Sequence, residues 1–365
     1  MTDKTEKSNK RRERTKKVLS ILWPIFAFVI AGLVIFFMLR GDRVVLDSDF
    51  WQQVNWWWLA VAIIIPFTVM LIESIRLLIV MRVSTGYFKP WLCVRCQILK
   101  RFFAMTTPFM LGGQPYQLYY MTKNGLSVAN STSVTLSAYI TGRIAFQLVT
   151  GIIIISLFAR LAQLDSTAVT SVSITISIIV HVGLTVFMCF VAFGRTISRF
   201  ICHIVLALLV KIRLVQNKRS AMKKVDESLW QYHVSLRKLR KRPIVFAMAI
   251  ILHMLSFFLH LGMIVFIYAA LFGWNWQVIP LLLLAITLTE YLAMIFVIPG
   301  GTGGMELFFL AIFATLMPMP QIVIALVLWK ALSFVLPILC GLPIILIDSV
   351  KKNSKNRLNQ KNSMQ

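Results

Sequence analysis

Residues 57–81 decide the fold class, and they read WWLAVAIIIPFTVMLIESIRLLIVM. The stretch is longer than the roughly 20 apolar residues that cross the hydrocarbon core of a bilayer as a helix. Its charged side chains are Glu73 and Arg76, which lie three residues apart and face the same side of a helix. A segment of this kind indicates a transmembrane helix.

Apolar runs of similar length recur along the chain. Hydrophobic residues make up 58% of its 365 positions, and the mean hydropathy is +0.79. Soluble domains are about half apolar, so the excess indicates membrane spans. The further runs occupy residues 18–39, 127–159, 169–193, 244–272, 278–298 and 321–347. The sequence therefore predicts an all-α, polytopic bundle of six full spans plus broken, re-entrant segments, with eight segments as the upper number.

The first apolar run, 18–39, follows a basic arm of residues 1–17 that carries eight Lys and Arg residues. The apolar part of a cleaved signal peptide is about 7–15 residues long and ends at an A-x-A-like site. This run is longer, and it ends in Arg40-Gly41-Asp42. We therefore expect an uncleaved signal anchor.

Positive charge is distributed unevenly between the predicted loops. The formal net charge is +25, and 32 of the 38 Lys and Arg residues fall on one side of the predicted spans. This asymmetry is the positive-inside pattern, so we expect a plasma-membrane protein with both ends in the cytoplasm and no nucleic-acid partner. The predicted parts are a basic arm (1–17), a transmembrane domain (18–347) containing a basic cytoplasmic loop (194–242), and a basic tail (348–365).

Two local patterns accompany this topology. Tryptophans cluster at the predicted outer ends of spans, where indole rings favour the headgroup region: Trp51, Trp56, Trp57, Trp58, Trp274 and Trp276. In the 194–242 loop, Leu229, Tyr232, Leu236 and Leu239 have helical spacing. That loop is either an amphipathic helix on an anionic leaflet or a solvated loop that sets orientation.

Two stretches break the helical pattern at apparent membrane depth. Irregular backbone is tolerated in a bilayer only where it lines a cavity or is buried in protein. Breaks at corresponding positions of two halves indicate a transport site and an inverted repeat. The first break contains Pro108, Gly112, Gly113 and Pro115; the second contains Pro299, Gly300, Gly301, Gly303 and Gly304. Each precedes a long helix with an internal cation, Arg143 in the first half and Lys330 in the second.

Ionisable side chains inside spans cost at least ~2.5–3.5 kcal/mol each, so they indicate function or pairing. The candidates for lipid binding and translocation are Glu73, Arg76, Arg143, Glu290, Glu306 and Lys330. Arg143 and Lys330 suit a phosphate group, Glu306 also suits the start of a helix, and Glu290 suits a charge partner for Lys330 or a proton carrier. The alternative is an internal salt-bridge network that only holds helices together.

Catalytic and cofactor motifs are missing from the sequence pattern. The Gly300–Gly304 segment lacks the Lys-Ser/Thr ending of a phosphate-binding loop. Cys93 and Cys96 form a C-x-x-C, which we interpret as two small apolar residues on an interfacial helix. His253 and His260 share a helix face and suggest helix contact rather than a metal site. We expect no metal, no cofactor and no catalytic residue.

At Pro108 to Tyr120, at Ile298-Pro-Gly-Gly-Thr-Gly-Gly-Met-Glu-Leu and at Trp329-Lys330, the chain resembles the membrane region of the lysylphosphatidylglycerol synthase/flippase family of bacteria and archaea. The family's pattern in the second stretch is approximately Pro-Gly-Gly-x-Gly-x-x-Glu, followed by a basic residue in the next helix. Lys330 stands where Arg is common. The full-length synthases also carry a soluble aminoacyl-transferase domain after the membrane region, and we expect none in the 17 residues that follow Asp348 here.

The resemblance implies lipid translocation, with membrane lipids as partners and resistance to cationic peptides as a family-level role. The expected function is movement of a phospholipid, or a related anionic or aminoacylated lipid, between leaflets. One alternative is the membrane component of a phosphatidylglycerol lysyltransferase, with a separately encoded enzyme as partner. Another is a non-transporting scaffold that recruits partners through the 194–242 loop.

Overall fold

The computed structural model of the chain is helical in every element that it describes. It describes residues 52–107, 110–157, 194–211, 241–293 and 304–348, with scattered positions in 175–190 and 222–238. The predicted signal anchor (18–39), most of the run 169–193, Pro108 and Pro299–Gly303 lie outside the described residues, as do both basic ends. Within the described part, the prediction of an all-α membrane bundle is confirmed.

Nine helices are used as landmarks below, numbered along the described chain. They are α1 (Trp56–Thr85), α2 (Pro90–Met105), α3 (Gly113–Lys123), α4 (Val128–Ser156), α5 (Arg195–Lys211), α6 (Pro243–Phe272), α7 (Ile279–Ala293), α8 (Gly304–Phe313) and α9, which begins as Met319–Lys330, passes through a π-helical turn at Ala331–Val335 and continues to residue 348. The helices α1, α4, α6 and α9 (Gln321–Asp348) are long and apolar enough to cross a membrane.

The ends of the long helices follow from local sequence. The side chain of Asn55 accepts a hydrogen bond from the Trp57 amide at 3.1 Å and caps α1, and Ser127 caps α4 in the same way. Helix α6 starts with Pro243, whose missing N–H costs nothing at that position. Helix α1 ends at Gly86, whose φ of +81° is the left-handed conformation of a typical C-terminal cap.

The two halves of the bundle have the same order of described elements, because each contains a long helix, two short helices and a second long helix. The first half is α1–α4 and the second is α6–α9. The halves run in opposite directions: the Asn55 amide at the start of α1 donates to the Ala270 carbonyl near the end of α6 at 2.9 Å. This order and this reversal are what an inverted repeat requires.

Aromatic residues mark the end of the bundle where α1 begins and α6 ends. The Trp58 ring stacks on Trp274 with centroids 4.9 Å apart, while Trp56, Trp57 and Trp276 are exposed. Exposed indoles at one level of a helical bundle are typical of a membrane–water boundary. The five described tryptophans of the predicted outer cluster, Trp56, Trp57, Trp58, Trp274 and Trp276, therefore lie at the same end of the bundle.

The first break forms a hairpin between α2 and α3. Lys89 before α2 donates from Nζ to the Asn124 carbonyl after α3 at 3.1 Å, so the hairpin returns to the side from which it entered. At its tip, the Gly112 amide donates to Thr107 Oγ1 at 2.8 Å, and Met110 has a φ of +55°. A positive φ at a non-glycine residue is strained and is often found at functional sites.

Gly113 is required at this tip because of a close backbone approach. A Cβ atom there would lie 2.7 Å from the Lys100 carbonyl oxygen and 3.2 Å from Ala104 Cβ. We expect Gly113→Ala to destabilise the protein by ~1–3 kcal/mol through overpacking. Thermal unfolding in detergent would measure the loss. The matched control is Gly151→Ala in α4, where a Cβ meets no heavy atom within 4 Å. Equal melting temperatures for the two variants would contradict this account of the hairpin.

The part of the 194–242 loop that is described contains helix α5. One face of α5 exposes Ile197, Phe200 and Ile204 at helical spacing. Arg199 donates to Asp226 from Nε at 3.0 Å and from Nη2 at 3.1 Å, and these bonds hold the pKa of Asp226 below its ordinary value. An exposed apolar face beside basic residues favours the interpretation of a helix lying on a membrane surface.

Candidate functional site

A buried ion pair lies in the C-terminal half of α1. Arg76 donates to Glu73 Oε2 from Nη2 at 2.7 Å and from Nε at 3.1 Å, and both residues are buried. The pairing of these residues on one helix face, which the sequence predicts, is confirmed. Both bonds end on one carboxylate oxygen, and charge-assisted bonds of this kind are stronger than hydrogen bonds between neutral groups.

Further contacts of this pair connect four helices. Glu73 Oε1 lies 2.6 Å from His253 Nδ1 and accepts from Ser256 Oγ at 2.6 Å, both on α6. Arg76 Nη1 donates to the Ala138 carbonyl at 2.7 Å and to Thr141 Oγ1 at 3.0 Å, both on α4. From α2, Gln97 donates to the backbone carbonyl of Glu73 at 3.0 Å. The pair therefore fixes how α1, α2, α4 and α6 pack.

A cavity of about 280 Å³ opens beside this pair, between the two halves of the bundle. Residues from α1, α2, α4 and α6 line it, together with Met110 at the hairpin tip, Gln114 at the start of α3 and Ser333 in the π-helical turn of α9. Its ionisable lining residues are Glu73, Arg76, Lys100, Arg101, Arg143, His253 and His260. The walls thus bear more positive than negative charge.

Three of these cations face the cavity, and no described residue gives them a carboxylate partner. Within the part of the chain that the structure describes, no carboxylate oxygen lies within 4 Å of the side-chain nitrogens of Lys100, Arg101 or Arg143. Arg143 donates from Nε to the Tyr139 hydroxyl at 3.1 Å and lies over the rings of Tyr139 and Phe146. These contacts orient its guanidinium but do not neutralise it, so the cavity can receive an anion.

The structure brings some of the sequence candidates together and separates others. Glu73, Arg76 and Arg143 line the cavity, and the described glycines of the first break, Gly112 and Gly113, shape the hairpin beside it. Pro115 lies within α3, and Gly304 begins α8 and is buried. Lys330, Glu306 and Glu290 are not among the residues that line the cavity.

The partner of Lys330 differs from the one suggested by the sequence. Its Nζ lies 2.9 Å from Glu306 Oε1, and both residues are buried. Glu290 instead lies 3.4 Å from His260 Nε2. The interpretation of Glu290 as the charge partner of Lys330 is therefore wrong, because the start of α8 brings Glu306 to that position. The ion pair joins the helix after the second break to α9.

The Lys330–Glu306 pair gives a testable expectation. Lys330→Met leaves a buried carboxylate without its cation, and we expect a loss of ~3–5 kcal/mol in unfolding free energy. Replacing both residues, with Glu306→Gln added, should recover most of that loss because no unpaired charge remains. Thermal unfolding of the two single variants and the double variant would measure the coupling. Additive losses would show that the two side chains do not stabilise each other.

Sequence reasoning missed Lys100 and Arg101 as site residues. Both lie in a basic stretch, Arg82 to Lys123, between two predicted spans, and such a stretch is typical of a cytoplasmic flank. In the structure α2 enters the bundle and directs both side chains into the cavity. Their position immediately before the first Pro/Gly break was the available signal, since a chain that breaks at membrane depth has already entered the bilayer.

Two histidines and two cysteines named in the sequence analysis take part in helix packing. His253 and His260 contact Glu73 and Glu290, so they connect α6 to α1 and α7, in agreement with the predicted helix contact. Cys93 and Cys96 are free and buried in α2. Among the described residues, no group of three or more His, Cys, Asp or Glu side chains could hold a metal ion.

Comparison with known proteins places this architecture in a family. The family model described as the lysylphosphatidylglycerol synthase TM region matches residues 23–341, which is most of the chain. The search of curated proteins found no match to the chain. The matched range includes both broken segments, all four long helices up to Gly341 and the whole cavity. The chain is therefore an integral membrane protein that belongs to the lysylphosphatidylglycerol synthase transmembrane-region family.

Proposed function

We propose that this protein moves a polar lipid headgroup between the two leaflets through the cavity bounded by α1, α2, α4 and α6. The observation that carries the proposal is the group of three cations, Lys100, Arg101 and Arg143, without a carboxylate within 4 Å among the described residues. Unpaired charges inside a membrane protein are costly and indicate a ligand path. A phosphate is the anion that every phospholipid carries.

The depth of the cavity supports a role in translocation rather than in surface binding. Arg143 lies about 22 Å along α4, a helix about 42 Å long, from the rise of 1.5 Å per residue. Glu73 lies in the C-terminal half of α1, a helix of 30 residues. A headgroup held at Arg143 would be far from both ends of its helix, near the depth where a translocated headgroup must be stabilised.

The inverted halves support a mechanism in which the cavity opens to one side at a time. The α2–α3 hairpin enters from the end of the bundle where α1 finishes, and the antiparallel second half has its own short pair, α7 and α8. Small displacements of one half against the other would change the side from which the cations are reached. Following the positive-inside pattern, we propose that the hairpin end is cytoplasmic, in a plasma membrane.

A lipid-modifying partner enzyme remains part of this proposal, because the family's description names a synthase. Such a partner would make or consume the lipid on one leaflet, and this chain would move it. The cations of the cavity support the holding of a phosphate, so we assign transport to this chain and lipid modification to the partner.

The test is a reconstitution experiment. Purified protein is placed in liposomes with a fluorescent phospholipid, and a membrane-impermeant reductant bleaches the outer leaflet. Bleaching beyond the outer-leaflet fraction indicates translocation. Gly142→Leu fills the cavity, since Gly142 lies on its wall and a Cβ there is already 3.4 Å from His253 Nε2. We expect this variant to stop the additional bleaching, whereas the matched control Gly151→Leu in the same helix, outside the cavity, retains it. Outer-leaflet bleaching alone with wild-type protein, across several phospholipids, would refute translocation.

A further inference from the structure

The charges of the cavity also select among headgroups. We propose that the headgroup it takes is a phosphate monoester or diphosphate, with two or more negative charges, and not an aminoacylated phospholipid. This inference rests on the proposed function, because it names the substrate class of the same cavity.

The formal charge of the lining residues is the first argument. Arg76, Lys100, Arg101 and Arg143 contribute four positive charges, Glu73 contributes one negative charge, and the two histidines are counted as neutral. Arg76 and Glu73 neutralise each other through two hydrogen bonds. Three positive charges then remain, and two of them belong to arginines, which stay protonated in proteins.

The excess positive charge of the cavity determines how much negative charge a well-matched ligand carries. The Lys100 ammonium lies within electrostatic reach of three cations, Arg76, Arg101 and Arg143, and of the Glu73 carboxylate, which Arg76 already pairs. Cations crowded in a site of low dielectric repel one another, and an anion relieves that repulsion. A phosphodiester offers one negative charge and leaves most of it uncompensated. A phosphate monoester or diphosphate offers about two or more, in a geometry that an arginine fork can grip with two bonds.

The carboxylate on the cavity wall has no capacity left for an ammonium group. Glu73 Oε2 accepts two hydrogen bonds from Arg76, and Oε1 is engaged by His253 and Ser256. A carboxylate has about four lone-pair sites, so all of them are used. A lysyl ester carries up to two ammonium groups, and this cavity offers them no free carboxylate among its described lining residues.

The aromatic rings beside Arg143 also argue against a cationic headgroup. Ring faces attract ammonium groups and form the usual neutral alternative to a carboxylate. Tyr139 and Phe146 already have the Arg143 guanidinium over their faces, with 5.3 Å and 5.7 Å from its carbon to the two ring centroids. A cationic headgroup would have to displace that arginine while being repelled by it.

The experiment measures binding to the full-length protein in detergent by native mass spectrometry. The probes are dioctanoyl phosphatidate, dioctanoyl phosphatidylglycerol and dioctanoyl lysylphosphatidylglycerol, which share chains and differ in headgroup charge. We expect phosphatidate to bind at least about tenfold more tightly than the lysyl ester, with phosphatidylglycerol between them. Arg101→Gln and Arg143→Gln should each weaken phosphatidate binding and reduce the difference, while the exposed control Lys123→Gln should not. Melting temperatures identify any variant that fails to fold, and the two arginines test the site independently.

The outcomes separate this inference from the proposed function. Tighter binding of the lysyl ester, or a preference for phosphatidate that survives both arginine substitutions, overturns the inference. Inorganic phosphate that competes as well as phosphatidate assigns the site to a soluble anion and also overturns it. If the lysyl ester is translocated and the Arg143 variant abolishes this, the substrate class is wrong and translocation stands. If phosphatidate is bound selectively but no probe crosses the bilayer, translocation fails and the selectivity stands.

Discussion

Glu73→Ala is expected to lower the unfolding free energy by at least the ~3–5 kcal/mol of a broken buried ion pair, because contacts to four helices meet at the Glu73–Arg76 pair. The change leaves Arg76 buried without its anion and removes the acceptor of His253 and Ser256. Four helices then lose the contacts that fix their packing. Thermal unfolding of purified protein in detergent, with yield from the membrane fraction as a second reading, would measure the effect. The matched control is Glu227→Ala, an exposed carboxylate in the 194–242 loop.

A double substitution shows whether the loss comes from the unpaired charge. With Glu73→Leu and Arg76→Met together, no buried charge remains, and replacing such pairs by apolar residues is often neutral. We expect the double variant to melt well above Glu73→Ala. If it melts as low as the single variant, the stability comes from the bonds to α4 and α6 and not from charge compensation.

Arg143→Gln is expected to have the largest effect on lipid movement at unchanged stability. No described residue places a carboxylate within 4 Å of Arg143, so the substitution leaves no described acid without its partner and the bundle should remain folded. Loss of a charge-assisted hydrogen bond to phosphate, at ~1.5–3 kcal/mol, corresponds to on the order of 10- to 100-fold weaker headgroup binding. The initial rate of translocation in liposomes should fall accordingly at a lipid content that does not saturate the site.

Two variants complete this measurement. Arg143→Lys keeps the charge but loses the planar fork, so an intermediate rate is expected if the phosphate is gripped by two bonds. Lys123→Gln removes an exposed cation at the end of α3 and should leave the rate unchanged. A wild-type rate for Arg143→Gln would remove this residue from the site.

The helices and their order could be predicted because they depend on local sequence. Apolar length determines a span, and the four long helices in the described region fall on runs that the sequence shows directly. The Glu73–Arg76 pair was predictable for the same reason, since three residues of helix bring the side chains together. Arg143 was recognisable as a cation in an apolar helix without a neighbouring acid.

The composition of the site could not be predicted in full, because it depends on how separate helices approach each other. Nothing near Lys330 in the sequence distinguishes Glu290 from Glu306; the path of the chain between α7 and α9 decides which carboxylate arrives. Lys100 and Arg101 have the composition of a cytoplasmic flank, and only the entry of α2 into the bundle gives them another role. His253 and Ser256 are ordinary helix residues until α6 packs on α1.

The π-helical turn at Ala331–Val335 leaves one residue more in α9 than a regular α-helix of the same rise would contain. If that turn regained α-helical pitch, everything after it would turn by about 100° and shift by about 1.5 Å along the axis. Gly341, whose missing Cβ lets Phe102 of α2 approach, would rotate away from that ring, and Asp348 would leave Arg95. Ser333, within the turn, lies on the cavity wall. A change of register at the π-helical turn would therefore alter the cavity wall at Ser333 and, at the same time, rotate the part of α9 that contacts α2 of the hairpin.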